Sequence, residues 1–262
     1  MAERLADYMA TGDGPVTVFL LHGGYGAKEY WRPEIAALAQ AGYRVIAWDA
    51  PGYGLSPLPE GTYSIERLAD AAAQLIRARG SKCNVVFGHS MGGLIAPKLA
   101  AAYPDLVQGM VLSATMASLA QGGANFKDDF MKKRLDPINM GATLADAAIP
   151  LVRSMMAPGS SGPLVDLIVE TAAGTPSATF RAALQAIASY DGTPVLAQVK
   201  APTLCIAGEH DPVGSPANMQ KLADMIKDAE FAAIAGAGHY AWAEKPDAFN
   251  KALFDFLKRR VA

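Results

Sequence analysis

The sequence predicts an α/β protein built on a doubly wound, mainly parallel sheet. Short and almost wholly apolar segments, such as Val16–Leu21, are typical of strands that are buried on both faces. These segments alternate with longer segments of helical spacing, such as Ile65–Arg79, which is the pattern of βαβ units. The chain has 262 residues, of which 51% are hydrophobic and 18% charged, so one large α/β domain has enough apolar residues for its core.

The predicted strands and helices follow one another in a regular order. The predicted strands are residues 16–21, 44–48, 84–88, 107–112, 203–208 and 230–234. The predicted helices of this alternation are residues 31–41, 65–79, 91–103, 215–226 and 247–260. Ser64 is placed to cap the second helix, while Gly42 and Gly80 are placed to end the first and the second. Units of this kind are joined by right-handed crossovers.

The alternation stops between residues 116 and 190. This stretch contains helical and irregular segments separated by turns rich in Gly and Pro, and no segment typical of a buried strand. We therefore predict a core of residues 1–115 and 191–262, with residues 116–190 inserted as a helical cap over the carboxyl edge of the sheet. Methionines at helical spacing mostly fill cores, but we predict that Met116 and Met155 face a substrate. A methionine-rich apolar roof predicts specificity through apolar fit.

The charge and cysteine content argue against several classes of partner and location. The formal net charge is −2 and the basic residues are dispersed, which disfavours nucleic acid or an anionic membrane as main partner. Residues 1–7 lack an apolar stretch of signal-peptide length, and no uninterrupted apolar run is long enough for a bilayer. Cys83 and Cys205 lie at or inside different predicted strands. Strands two places apart in a sheet are separated by about 9.6 Å, whereas a disulfide needs Cα atoms within about 7 Å. Reduced cysteines predict a cytoplasmic protein.

A serine at a predicted strand-to-helix junction is the strongest functional signal. Residues 88–92 read Gly-His-Ser-Met-Gly, follow an apolar run and precede an alanine-rich helical segment. In this Gly-x-Ser-x-Gly turn, the nucleophile elbow, flanking glycines avoid the clashes that a Cβ would cause. The turn places the Ser90 hydroxyl above the sheet edge, at the start of a helix that offers free N–H groups to an anion. Ser90 is therefore the predicted nucleophile.

A serine nucleophile needs a base that takes its proton and a carboxylate that fixes the tautomer of the base. His239 follows an apolar strand near the C-terminus, in the sequence Gly-Ala-Gly-His at 236–239, and is the predicted base. Asp211 lies just past the strand at 203–208 and is the predicted carboxylate. Glu209, two residues earlier, stays open as an alternative acid.

The three other histidines are interpreted as supporting residues. His89 adjoins the nucleophile and is expected to pack against the elbow rather than to take protons. His210, beside the predicted carboxylate, is expected to be a structural or rim residue. His22 is expected to brace, through hydrogen bonds, the loop that binds the negative oxygen of the intermediate.

The oxyanion of a tetrahedral intermediate needs hydrogen-bond donors aimed at it. The N–H group of Met91, directly after the nucleophile, is the first predicted donor. The second is assigned to Gly24 rather than Tyr25, because two successive glycines after the first long strand permit close backbone approach. Tyr25 and Trp242 are predicted to line the substrate pocket, with helix packing as an equally open alternative for Trp242.

Five ordered motifs together resemble the α/β-hydrolase superfamily over nearly the whole chain outside the insertion. They are His-Gly-Gly at 22–24, Asp-x-Pro-Gly-x-Gly-x-Ser at 49–56, Gly-His-Ser-Met-Gly-Gly at 88–93, Gly-x-x-Asp at 208–211 and Gly-His at 238–239. The resemblance implies an α/β-hydrolase fold, with an eight-stranded, mostly parallel sheet, helices on both faces and a helical cap after the sixth strand. It also implies the chain order nucleophile, acid, histidine, and a structural turn at 49–56.

The resemblance narrows the reaction through the nucleophile. Haloalkane dehalogenases and epoxide hydrolases use an aspartate at this position, so Ser90 excludes their mechanism. Serine members include carboxylesterases, lactonases, perhydrolases and hydrolases that cleave carbon–carbon bonds of ring-fission products. We expect a cytoplasmic serine hydrolase that cleaves a small, apolar carboxylic ester or lactone through an acyl-enzyme intermediate, with no cofactor and no metal.

Two alternative functions stay open. A carbon–carbon bond hydrolase of meta-ring-fission products would need a cationic group in its pocket for the carboxylate of the substrate. Arg134, Arg153 and Arg181 of the predicted cap are available for this role. A ligand receptor on the same fold would hydrolyse slowly and signal through closure of the cap. The partner is a small molecule in each case, and the oligomeric state is left open.

Overall fold

The computed structural model describes residues 5–261. The predicted core ranges, 1–115 and 191–262, extend to residues 1–4 and 262, which lie outside the described residues. Within the described part, helices flank a seven-stranded sheet on both faces. No helix of this part is long and apolar enough to cross a membrane.

Strands and helices alternate on both sides of a purely helical stretch. The strands are β1 (Tyr8–Thr11), β2 (Val16–Leu21), β3 (Arg44–Trp48), β4 (Cys83–His89), β5 (Gly109–Ser113), β6 (Thr203–Gly208) and β7 (Ala229–Ile234). The helices are α1 (Arg32–Gln40), α2 (Ile65–Arg79), α3 (Met91–Ala102), α4 (Phe126–Asn139), α5 (Leu144–Ser154), α6 (Pro163–Ala173), α7 (Ser177–Ser189), α8 (Thr193–Leu196), α9 (Pro216–Asp224), α10 (Ala241–Glu244) and α11 (Pro246–Arg260). Short 3₁₀ turns occupy Lys28–Trp31, Pro104–Leu106 and Leu119–Gly122.

The sheet has the order β1-β3-β2-β4-β5-β6-β7, and all neighbouring strands except the first pair run parallel. This mostly parallel sheet with helices confirms the predicted fold class. All six residues of β2 are buried, as expected for a strand that is covered on both faces. Cys83 on β4 and Cys205 on β6 are free thiols on either side of β5.

The described sheet has seven strands, rather than the eight that the resemblance implies. A single strand, β1, precedes β2, and residues 12–15 connect the two directly. Gly12 has a φ of +78°, and a Cβ at this glycine would lie 2.4 Å from the Tyr43 carbonyl oxygen. No pattern in the sequence predicts β1, because its four residues form an edge strand that is only partly buried and lacks a continuous apolar run.

The two faces of the sheet support separate apolar layers, because successive strand side chains point to opposite faces. Val18 and Leu20 of β2 pack with side chains of α1 and α11, while Phe19 and Leu21 pack with those of α2 and α3. The carboxyl ends of the parallel strands therefore stay uncovered by these layers. Loops at this edge are where α/β sheets bind ligands.

Two predicted helix boundaries have the expected local chemistry. The Arg67 N–H donates to Ser64 Oγ at the start of α2, which satisfies one of the free backbone donors there. Gly42 follows α1 with a φ of +89°, a conformation that favours glycine. These contacts confirm Ser64 as the N-cap of α2 and Gly42 as the glycine that ends α1.

Residues 116–190 lie between β5 and β6 and contain the four helices α4–α7. The two ends of this stretch meet at an antiparallel bridge between Ser118 and Asp191. The Gly192 N–H also donates to the Ala117 carbonyl oxygen over 2.8 Å. We call residues 116–190 the cap segment; its separation from the core as a distinct domain stays a prediction.

Glu34 on α1 is a fully buried carboxyl group. Its side chain has no hydrogen-bond partner in another residue of the described part. Burial raises the pKa of Glu34 from 4.5 to about 8, because the charged form loses its hydration. Since the folded-state pKa lies above the unfolded value, the contribution of Glu34 to stability is fully present below pH 4.5 and is lost as the pH rises through about 8.

Glu34→Gln should therefore make the free energy of unfolding less dependent on pH. A pKa shift of this size corresponds to a loss of roughly 5 kcal/mol between acidic and alkaline pH, as an upper bound. Urea denaturation at pH 5 and pH 9 measures this difference, with Glu170→Gln on the exposed side of α6 as the matched control. An equal pH dependence in wild type and Glu34→Gln would contradict the assignment.

Candidate active site

Ser90 lies at the sharp turn between β4 and α3. Its φ of 54° and ψ of −113° are rare for a residue with a side chain, which marks a strained backbone. A Cβ at Gly88 would lie 2.2 Å from the Gly92 carbonyl oxygen, and a Cβ at Gly92 would lie 2.1 Å from that of Leu21. The turn is held by the Ser90 N–H, which donates to the Ser113 carbonyl oxygen over 2.9 Å. These close approaches explain the glycines of the elbow.

Asp211 and His239 form a buried pair in two neighbouring loops. Asp211 follows β6 and His239 follows β7, and these strands are adjacent in the sheet. The Nδ1 atom of His239 lies 3.0 and 2.9 Å from the two carboxylate oxygens of Asp211. The Val213 N–H holds one of these oxygens at 2.8 Å. With Nδ1–H as the donor to the carboxylate, Nε2 is left as an acceptor for a proton.

Ser90 and His239 line the same cavity, as expected for a nucleophile and its base. The described residues contain no direct hydrogen bond between Ser90 Oγ and His239 Nε2. Catalytic hydrogen bonds are often long in a site without substrate and tighten when substrate binds. The chain thus brings the three predicted triad residues to one end of the sheet, with the acid–base half already joined.

Glu209, the alternative acid, makes a different contact. Its side chain is largely exposed, and its Oε2 atom accepts a hydrogen bond from the Gly236 N–H over 2.8 Å. His210 lies 3.8 Å from the same carboxylate and is exposed, in keeping with a residue on the rim. Glu209 therefore holds the loop before His239, whereas Asp211 contacts the imidazole itself.

The loop after β2 is braced close to the nucleophile. His22 Nδ1 lies 2.8 Å from the Gly23 carbonyl oxygen, and His22 Nε2 accepts from the Ala50 N–H over 3.0 Å. Burial lowers the pKa of His22, which suits this neutral donor–acceptor role. The Gly23 N–H donates to Tyr30 Oη over 2.8 Å. The predicted bracing role of His22 fits these contacts.

The bracing leaves two backbone donors near Ser90. The N–H groups of Gly24 and Met91 have no hydrogen-bond acceptor among residues 5–261. A Cβ at Gly23 would lie 3.0 Å from Ser90 Cβ, so this glycine lets the loop approach the nucleophile. Gly24 lines the same cavity as Ser90, and Met91 begins α3 directly behind it. Their positions fit the predicted oxyanion donors.

Two cavities meet at the elbow. The one we call the larger encloses about 420 Å³ of space outside the protein atoms, open solvent included, and the smaller about 360 Å³. Residues shared by both walls are Ser90, Phe130, Ile187 and Val213. Of the predicted substrate contacts, Tyr25 and Met155 line the larger cavity and Met116 lines the smaller.

Trp242 lines neither cavity, so the prediction that it lines the pocket is wrong. Its ring is fully buried, with its centroid 4.8 Å from that of Trp31 and 5.1 Å from that of Tyr30. The side chain of Trp242 belongs to the apolar layer that also contains Phe87 of β4 and Phe249 of α11. The alternative of helix packing is the correct one.

His89 packs behind the predicted base. Its ring centroid lies 4.9 Å from that of His239, and the side chain is completely buried. Burial, with the neighbouring His239 and His22, lowers the pKa of His89 well below its ordinary value and keeps the ring neutral. This placement fits the expected packing role.

Glu244 supports the His239 loop and gave no signal in the sequence. Its carboxylate accepts hydrogen bonds from the Gly238 and Tyr240 N–H groups, both over 3.0 Å. It also accepts from the Ala157 N–H over 2.7 Å and from Ser160 Oγ over 2.6 Å. Glu244 therefore ties the loop on both sides of His239 to the cap segment. No sequence pattern predicts this role, because Ala157 and Ser160 lie more than 80 positions from Glu244 in the chain.

The three arginines considered for the pocket lie in different surroundings. Arg153 is about half exposed and lies 3.6 Å from Asp166. Arg181 is on the surface, where it donates to the Asn139 side chain over 2.8 Å. Arg134 alone of the three is buried and lines the larger cavity. No group of three or more His, Cys, Asp or Glu side chains within residues 5–261 is placed to hold a metal ion.

The fold and this site together define the class of the protein. The family described as alpha/beta hydrolase fold matches residues 16–246. The chain therefore belongs to the α/β-hydrolase family, as the motifs predict.

Individual relatives are hydrolases as well. The chain is 31% identical to the putative carbamate hydrolase RutD of Variovorax paradoxus strain S110, over 92% of this chain and 91% of that protein. It is similar in structure to an esterase from Thermogutta terrifontis, with a TM-score of 0.85, 26% identity and coverage of 98% and 94%. An enol-lactonase from Burkholderia xenovorans LB400 matches with a TM-score of 0.82, 26% identity and coverage of 97% and 96%. The protein is a hydrolase of the α/β family.

Proposed function

We propose that this protein is a serine hydrolase that cleaves a small carboxylic ester or lactone through an acyl-enzyme intermediate. The observation that carries the proposal is the buried Asp211–His239 pair, whose imidazole lines the same cavity as the strained Ser90. This is the arrangement that activates a serine hydroxyl as a nucleophile. The relatives named as esterase, enol-lactonase and carbamate hydrolase support a reaction at a carbonyl carbon.

In the first half of the reaction, Ser90 Oγ attacks the carbonyl carbon while its proton passes to His239 Nε2. Asp211 keeps Nδ1 protonated and stabilises the imidazolium that forms. The N–H groups of Gly24 and Met91 bind the oxyanion of the tetrahedral intermediate. Collapse of this intermediate breaks the ester C–O bond, and the leaving alcohol takes the proton from His239. In a lactone, the alcohol stays attached to the acyl group.

In the second half, His239 takes a proton from water, and the hydroxide so formed attacks the acyl carbon. The tetrahedral intermediate again places its oxyanion between the same two backbone donors. Its collapse returns the proton to Ser90 Oγ and releases the carboxylic acid. No cofactor or metal takes part in these steps.

The cap segment is proposed to shape the substrate pocket. Its side chains Phe130, Met155, Phe180, Leu184 and Ile187 contribute to the wall opposite the catalytic loops. These apolar side chains suit the hydrocarbon part of a small substrate. A cytoplasmic location is also retained as a proposal, based on the reduced cysteines expected from the sequence.

A carbon–carbon bond hydrolase is a second candidate, because the cationic group that it needs in the pocket is present as Arg134. Both enzymes would use Ser90, and their substrates separate them. The receptor hypothesis has no supporting contact of its own. A receptor would give slow hydrolysis and a trapped product, whereas the proposed enzyme releases its product in every cycle.

We expect steady multiple turnover on short-chain p-nitrophenyl esters, with no burst that exhausts the activity. A fluorophosphonate probe should label Ser90 stoichiometrically, because an activated serine attacks phosphorus as it attacks a carbonyl carbon. Assays stopped at successive times measure the number of turnovers per protein molecule. Mass spectrometry of the labelled peptide identifies the serine that reacts with the probe. A single turnover per protein molecule would favour a receptor, and labelling at any other serine would contradict the assigned nucleophile.

A further inference from the structure

Arg134 is a buried cation with no anionic partner in the part of the chain that the structure describes. It lies on α4, and only 7% of the residue is exposed. Its Nη1 atom donates to the Phe130 carbonyl oxygen over 3.1 Å, and its Nη2 atom lies 3.4 Å from the sulfur of Met155. The guanidinium carbon lies 3.5 Å from the centroid of the Phe130 ring. No acidic side chain of the described residues forms a salt bridge with it.

These contacts leave the guanidinium poorly satisfied. It has five N–H donors, whereas Phe130 offers one carbonyl oxygen and one aromatic face, and Met155 offers one weakly accepting thioether. Burial lowers the pKa of Arg134 to about 10, so the group still carries its charge at neutral pH. A buried charge without a counterion is costly, and such groups cluster at functional sites.

The nearest negative charge is already engaged. Asp211 attracts Arg134 through space, but its carboxylate accepts from His239 and from the Val213 N–H. The tyrosines that face the guanidinium, Tyr25 and Tyr240, are both held neutral because burial raises their pKa values. Residues 5–261 therefore place one positive charge at this wall and no anionic partner for it.

The position of Arg134 indicates what would compensate the charge. Arg134 shares the larger cavity with Ser90 and His239, and apolar side chains such as Leu184 and Ile187 line the same cavity. A ligand that reaches Arg134 therefore has an anionic end, a short apolar middle and a carbonyl carbon at Ser90. The space between these walls is narrow, about 420 Å³ even with open solvent included, so the ligand is a small molecule.

We propose that Arg134 binds a carboxylate of the substrate, so that the enzyme acts on small esters or lactones that carry a second, ionised carboxyl group. This inference rests on the proposed serine hydrolase function. The planar fork of a guanidinium matches the two oxygens of a carboxylate. A single cation, with the negative Asp211 close enough to attract it, favours a monoanion over a dianionic phosphate ester. Specificity through apolar fit alone, as the methionine content predicts, is thus incomplete.

Two esters of equal length separate the charge from the apolar fit. Monomethyl glutarate ends in a carboxylate, and methyl pentanoate ends in a methyl group at the same position. Base uptake in a pH-stat measures the rate of hydrolysis of each ester. We expect the wild type to favour monomethyl glutarate in kcat/KM by about 10- to 100-fold, the value of a hydrogen bond to a charged group. The preference should appear mainly as a lower KM, because the anchor lies away from the reacting carbon.

Arg134→Met should reduce this preference at least tenfold, and Arg134→Lys should retain part of it. Arg181→Met removes an exposed arginine of the same segment and should leave the ratio as in wild type. An equal kcat/KM for both esters in the wild type would overturn the inference, even where Arg134→Met is unstable. The proposed function would survive that result if methyl pentanoate hydrolysis required Ser90, and would fail if Ser90→Ala hydrolysed both esters at the wild-type rate.

Discussion

Ser90→Ala should reduce kcat for ester hydrolysis by about 10⁴- to 10⁶-fold, the range seen when a nucleophile is removed from other serine hydrolases. In the proposed mechanism the hydroxyl forms the covalent bond to the acyl group, and no other serine of residues 5–261 lines the cavity that contains His239. Alanine keeps the Cβ, so it meets the same backbone strain at a φ of 54°. The free energy of unfolding should therefore change little.

Purified wild type and Ser90→Ala, measured on the same p-nitrophenyl ester, give the ratio of rates. Thermal unfolding followed by circular dichroism shows whether the fold is kept. The variant should also lose its reaction with a fluorophosphonate probe. An unchanged rate in a folded variant, with contaminating hydrolase excluded, would refute the nucleophile assignment.

The prediction from sequence succeeds wherever one local pattern determines the structure. The apolar run Val16–Leu21 becomes β2 with the predicted bounds, because a strand covered on both faces must be apolar throughout. At Gly88 and Gly92, neighbouring backbone atoms lie so close that a Cβ at either position would clash with them. The elbow is therefore visible from a few adjacent residues.

The prediction fails where the contacts come from distant parts of the chain. An aromatic side chain such as that of Trp242 suits a pocket, but its ring packs against Trp31, which lies more than 200 positions earlier in the chain. This distant contact places the ring in the core. In the sequence, Glu244 looks like any acidic residue at a helix end. Its role becomes visible only from its contacts with residues 157–160 of the cap segment. Which of three arginines faces the pocket likewise depends on how α4 packs, and only the structure distinguishes Arg134 from Arg153 and Arg181.

The assignment of the acid is a separate prediction, since two carboxylates lie within three residues of each other. Asp211→Asn should reduce kcat by about 10⁴-fold, as in another serine hydrolase triad. The amide N–H₂ group can donate to Nδ1, which favours the imidazole tautomer with its proton on Nε2. That tautomer cannot accept the proton of Ser90. The Val213 N–H keeps an oxygen acceptor in the variant, so the loop geometry should survive.

Glu209→Gln is the matched control, because it makes the same carboxylate-to-amide change two residues away. The Glu209 side chain accepts from the Gly236 N–H, and the amide oxygen of glutamine can accept the same bond. The variant should therefore keep most of its activity. Rates of both variants on one ester, at a pH where wild type is fully active, decide the assignment. If Glu209→Gln proved to be the crippling change and Asp211→Asn the mild one, the loop after β6 would present its other carboxylate to His239 during catalysis.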